Sequence, residues 1–217
     1  MRRISTSCLA ARTPELGGAE PYLALIGLIT VALLSPGPAI VAAIQTSFSR
    51  GREVALPFGL GLAFGASLWC LFALAGLALL FKTYPPVYHA VKLFGGIYIL
   101  WVAYGMWRGA AHPLPEAAEK KFGRGFIGGV LLNLSNPKPA LFYAALILRL
   151  FPGPLSVTDN TSIYATALAT ELFWYATVTI AMSTATMRRR YFGAKFWIDR
   201  TAAIALFALG IMLIVKS

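Results

Sequence analysis

The chain has 217 residues, of which 58% are apolar and 12% charged, and its mean hydropathy is +0.70. Soluble domains carry about 25% charged residues, so this composition leaves little room for a water-soluble fold. The net charge of +11 reflects 19 Lys and Arg against 8 Asp and Glu; the basic residues stand between apolar runs, as the flanks of membrane spans do, and not along the single face that a nucleic-acid surface needs.

In chain order, residues 1–20 read as a polar tail without the apolar core of a cleavable signal, and residues 21–217 as one transmembrane domain. A span needs about 20 apolar residues. Tyr22–Ile44, Leu56–Phe81, Val87–Trp107, Gly125–Leu148 and Ser162–Met187 meet that length. A sixth, Thr201–Val215, is short and is expected to begin near Phe196-Trp197, with Asp199 and Arg200 in the headgroup layer. Lys82, His89 and Lys92 lie close to one membrane face, where snorkelling accounts for them. Trp101, Trp107, Trp174 and Trp197 read as interface or packing residues.

Two proline-broken motifs interrupt the first and fourth runs: Ser35-Pro36-Gly37-Pro38 and Ser135-Asn136-Pro137-Lys138-Pro139. Each proline lacks an N–H and frees the carbonyl four residues earlier: Ala32 and Leu34 in the first run, Asn133 and Ser135 in the second. In hydrocarbon such groups are tolerated only where protein or a water-filled cavity satisfies them. Interrupted spans at corresponding places in two halves point to a transporter's binding site. The candidate substrate-binding residues are therefore Pro36, Gly37, Pro38, Asn136, Pro137 and Lys138. A half-helix that starts after a break offers free N–H groups to a carboxylate, and the unwound carbonyls suit a cation such as an amino group.

Lys138 lies too deep to be cheap, because a charge near the bilayer centre costs about 2.5–3.5 kcal/mol on insertion scales. It reads as a contact for a substrate carboxylate, as half of an intramembrane ion pair, or as a donor to the broken-helix carbonyls. Glu171 sits about ten residues into the fifth span and reads as a proton carrier, or as the fixed partner of Lys138. Cys8 and Cys70 form no metal or redox spacing, and no hydrolytic motif is present. No cofactor and no metal site is expected.

Each half opens with a broken span, so residues 22–108 and 125–217, joined by a connection over 109–124, read as repeats. Three spans per unit make the second unit enter from the opposite side, the arithmetic of an inverted repeat. The fold class expected is thus an all-α polytopic membrane protein, six transmembrane helices in two inverted three-helix repeats. Small-xxx-small pairs at Gly61/Gly65 and Gly125/Gly129 fit close helix packing. Eleven Lys and Arg fall in the connections after spans one, three and five, against six on the other side, which puts both termini outside.

These residues also carry a resemblance. Ser35-Pro36-Gly37-Pro38, Ser49-Arg50-Gly51-Arg52, the glycine-rich stretch from Gly59 to Gly65, Phe94-Gly95-Gly96 through Trp101, and Asn136-Pro137-Lys138-Pro139-Ala140-Leu141-Phe142 resemble the LysE/RhtB-type amino-acid exporters from about Tyr22 to the C-terminus. The resemblance implies a multi-pass protein of the bacterial inner membrane that exports amino acids or related metabolites, driven by protons. Its partners would be the amino-acid substrate, protons and membrane lipids, with no nucleic acid and with room for a homo-oligomer. The chain departs from the pattern at Ala39, where such proteins often carry Asp or Asn, and at Pro139, where they carry a small residue. The competing classes are an ion or metal transporter and a membrane redox carrier of a related six-helix fold. The first would want carboxylate or His clusters in the membrane, the second cysteines at the breaks.

Overall fold

In the computed structural model the described residues are 19–34, 37–83, 85–112 and 125–215, with side chains except those of 77–92, 188 and 213. They form eight α-helices and no strand: α1 (Ala19–Leu34), α2 (Pro38–Arg50), α3 (Arg52–Thr83), α4 (Pro85–Gly109), α5 (Phe126–Leu134), α6 (Pro137–Leu150), α7 (Val157–Met182) and α8 (Ala185–Val215). Most of the polar tail, Ser35, Pro36, the basic residues Lys120, Lys121 and Arg124, and the side chains of Lys82, His89 and Lys92 lie outside the described residues.

Both proline motifs do break their helices. Pro38 and Pro137 each take the first position of a new helix, where the missing N–H has no intrahelical role. Gly37 and Asn136 precede them in extended conformation, as the residue before a proline prefers. The axes of α1 and α2 diverge by 65° across the first break. By length and hydropathy, Arg52–Gly76 is apolar enough to cross a membrane alone, and α1 with α2 qualifies as one bent pair.

The last two helices differ from the sequence reading. α7 ends at Met182, and Ser183 and Thr184 turn the chain at once into α8. The Thr184 hydroxyl accepts from the Met187 amide at 3.4 Å, so α8 starts well before Phe196 and carries Arg188–Arg190 in its opening turns. Asp199 is covered by protein. It is fully buried and pairs at 2.6 Å with Lys195, one turn earlier. The Lys195 ammonium also donates to the carbonyls of Gly109 at 3.2 Å and Ala110 at 3.5 Å, so a cation closes the carbonyl end of α4, where the helix dipole favours it. α7 opens with a reciprocal cap: Ser156 Oγ accepts from the Asp159 amide, and Asp159 Oδ2 accepts from the Ser156 amide. Hydrogen bonds from Ser156 hold the Asp159 carboxyl below its ordinary range.

α3 is the central helix, packed against α2, α4, α5, α6 and α7, while α4 runs along α8. The α3–α5 crossing is so close that a methyl at Gly61 would collide with the Phe126 carbonyl oxygen, and one at Gly129 with that of Phe58. Gly65 meets Val130 in the same seam, so both small-xxx-small stretches serve one crossing. Gly125 stands outside it and instead takes φ 88°, a conformation that favours glycine. Large apolar side chains are exposed on α1, α3, α4, α5, α7 and α8, among them Leu23, Phe72, Trp101, Ile127, Phe173 and Phe207. Among the described residues α2 and α6 expose none. The two half-helices that follow the breaks are therefore the interior of the bundle.

Gly61→Ala is expected to lower stability by about 1–3 kcal/mol through overpacking, seen as a lower melting temperature in detergent. Gly105→Ala, whose added methyl meets open space, should leave the melting temperature unchanged or slightly raised.

Candidate functional site

The freed carbonyls find partners across the bundle. Ala32, whose intrahelical donor position is Pro36, accepts from the Lys138 ammonium at 3.0 Å. Asn133, whose donor position is Pro137, accepts from the Trp69 indole of α3 at 3.3 Å and from the Asn136 amide at 3.2 Å. Ala32 and Asn133 hold the same place in their motifs, four residues before the first proline. The contact from Lys138 to Ala32 joins the second break to the first. Gly37 completes it, because a Cβ there would press on Lys138 Cδ at 3.3 Å and Nζ at 3.4 Å.

Asn136 caps α6 by accepting from the Lys138 amide at 3.1 Å, and its own amide group donates to Asn133 Oδ1 at 3.4 Å. Asn133 in turn donates to the Leu62 carbonyl of α3 at 2.7 Å. A chain of amides thus ties the second break to the central helix.

Beside the breaks lies a cavity of about 40 Å³. That is room for a few water molecules. Gly37, Asn136, Lys138 and Glu171 line it. Pro38 and Pro137 do not face it; they are exposed and shape it through the backbone. Pro36 lies outside the described residues. The two departures from the family pattern, Ala39 and Pro139, both stand in the cavity wall.

Glu171 is 3% exposed and accepts from the Tyr143 hydroxyl at 2.8 Å through Oε1. Its Oε2 is buried with no hydrogen-bond partner among the described residues. Lys138 donates to the Ala32 carbonyl and Glu171 accepts from the Tyr143 hydroxyl, and the two charges also act on each other. Glu171 is set by the buried stripe of α7, Ile163, Ala167, Glu171, Tyr175 and Thr179, which recurs every fourth residue. That stripe is legible in the sequence, and it points to Tyr175 as a further cavity residue. Tyr143 and Asn133, also in the wall, carry no such signal beyond being polar groups inside apolar runs.

With this geometry in place, the relatives can be compared. The family described as LysE type translocator matches residues 30–217. The chain belongs to that family. It is 34% identical to the threonine efflux protein of Escherichia coli K12 over 90% of this chain and 98% of the relative. The threonine efflux protein of Salmonella typhi is 34% identical over 86% of this chain and 93% of its own. The leucine efflux protein of Salmonella choleraesuis is 25% identical over 83% and 86%. No solved structure matches. The chain is thus a membrane translocator and not an enzyme.

Asn136→Ala removes the cap of α6 and should cost about 1 kcal/mol, read as a melting-temperature loss in detergent. Asn136→Ser, which keeps a capping acceptor, should lose less.

Proposed function

We propose that this chain is a secondary transporter that exports amino acids across the bacterial inner membrane in exchange for protons. The observation that carries the reading is the meeting of the two breaks. The Lys138 ammonium, the Ala32 carbonyl and the Glu171 carboxyl border one cavity. A buried ammonium and a buried carboxyl at the wall of an intramembrane cavity are expensive unless they serve a cargo or a coupling ion. The efflux activities in the names of the relatives give that cargo its chemical class. Lys138 takes the substrate carboxylate, helped by the amides that open α2 and α6; Glu171 carries the proton.

The architecture proposed is six spans in two inverted repeats, α1–α4 and α5–α8. The packing supports it. α3 lies on α5 and α6 as α7 lies on α1 and α2, and exchanging the halves turns the one set of contacts into the other. The interior position of both α2 and α6 obeys the same exchange.

In proteoliposomes loaded with a panel of labelled amino acids that includes threonine and leucine, the wild-type protein should drive export against a concentration gradient when a pH gradient is imposed. Lys138→Ala should raise the half-saturating substrate concentration at least tenfold, and Glu171→Gln should abolish uphill export. Full pH-driven export by a well-folded Glu171→Gln protein would remove Glu171 from the coupling.

The basic-residue distribution supports an orientation with both termini on the periplasmic side. Cysteines introduced at the C-terminus should react with a membrane-impermeant reagent in intact cells, and one beside Lys120 should not. The reverse pattern would overturn this orientation.

A further inference from the structure

Resting on the amino-acid reading above, we infer that the Glu171 carboxylate is also the acceptor for the substrate's ammonium group, so that substrate and proton compete for one site. The unwound carbonyls are the obvious acceptors for an ammonium at a broken helix, but the one freed by the first proline of each break is engaged: Ala32 receives Lys138, and Asn133 receives Trp69 and the Asn136 amide. The side-chain acceptor left in the cavity wall without a partner among the described residues is Glu171 Oε2. Tyr143 fixes the carboxyl through its other oxygen at 2.8 Å, which makes Tyr143 a positioning residue.

The groups that face Glu171 define what can neutralise it. α6 supplies Lys138 and Tyr143, α3 supplies Cys70, and α7 itself supplies Tyr175. α1 and α2 bring Ile29, Ala32 and Ile40, which carry no titratable group. A carboxylate buried among these needs either a proton or a cationic cargo to offset its desolvation. A proton on the carboxyl removes the charge that an ammonium would meet, and an ammonium at Oε2 displaces the proton. The two loads therefore exclude each other. The form with neither leaves the carboxylate to Lys138 alone, an ammonium already held by the Ala32 carbonyl, which disfavours an empty return and ties export to proton entry.

The test uses purified protein in detergent, with L-threonine and 3-hydroxybutanoate as probes, the second having the same carbon skeleton and hydroxyl but no amino group. Proton release is read with an indicator dye in weak buffer, and affinity by calorimetry across pH 5–8. On the acid side, where the free protein holds the proton, L-threonine should release about one proton per molecule bound, and its Kd should weaken about tenfold per pH unit. Any binding of 3-hydroxybutanoate should release none and show no such slope. Glu171→Gln should bind L-threonine at least tenfold more weakly, with no pH slope. A Glu171 that only carries the proton would leave the binding of that variant intact. Tyr143→Phe should keep the proton release and shift the pH at which it occurs.

The inference is overturned if wild-type protein binds L-threonine with no proton release and a flat pH profile, or if folded Glu171→Gln retains wild-type affinity. Equal proton release on binding 3-hydroxybutanoate would also overturn it, since the ammonium would then not be the competing group. In these outcomes the amino-acid reading stands. If neither L-threonine nor any other amino acid of the panel binds at any pH, that reading fails and this inference with it. If Glu171→Gln does not fold, the comparison of the two probes on wild-type protein decides alone.

Discussion

A carbonyl that loses its N–H partner inside a membrane must find another donor, since lipid offers none. The middle of this fold is arranged around that requirement. The prolines at 36 and 137 free Ala32 and Asn133; a lysine from the other half of the chain reaches the first, and an indole from the central helix reaches the second. Two breaks that would each be a local defect thereby become contacts between distant elements. The same requirement explains why α2 and α6 expose no large apolar side chain among the described residues. Irregular backbone is tolerated where protein surrounds it, so the half-helices that follow the breaks belong inside.

Much of this was legible in the sequence, because proline acts through the backbone and its effects do not wait on tertiary context. The breaks, the identity of the freed carbonyls and the small-residue pair Gly61/Gly65 follow from residue type and spacing alone, whereas the distance of Glu171 from Lys138 does not. The partners were less legible. Nothing in the spacing pairs Trp69 with Asn133, or Tyr143 with Glu171, since each pair depends on how two helices are rotated about their axes. The reading of the final helix went astray for a related reason. Lys195, Asp199 and Arg200 looked like the polar flank of a short span. An i, i+4 ion pair that also closes the end of α4 removes two of those charges from solvent, and the helix runs on through them. The side chains that would test the snorkelling of Lys82, His89 and Lys92 lie outside the described residues.

The glycines carry a second constraint that length and hydropathy do not reveal. With Gly61 and Gly65 facing α5, and Gly129 facing back, backbone meets backbone across the α3–α5 crossing. That approach brings Asn133 within 2.7 Å of the Leu62 carbonyl and Trp69 within reach of the Asn133 carbonyl. Without the seam, the second break would lie too far from α3 for either bond. Packing by small residues, which in a membrane replaces the hydrophobic drive between helices, thus sets the distance at which the polar repair of the broken helix can operate.

The two buried carboxylates show why position alone does not assign a role. Asp199 is the more deeply buried, yet its charge is met at 2.6 Å by Lys195, whose remaining bonds anchor α8 to the end of α4. Its environment accounts for it as a structural pair. Glu171 is buried almost as fully, in the middle of a stripe whose other members are Ile163, Ala167, Tyr175 and Thr179. Its hydrogen bond comes from a neutral hydroxyl, and its other oxygen borders a cavity. A hydroxyl can orient a carboxyl but cannot neutralise it. A stability role would be filled better by an apolar residue of the same size. What distinguishes the two sites is the space beside Glu171 and the cation it leaves room for.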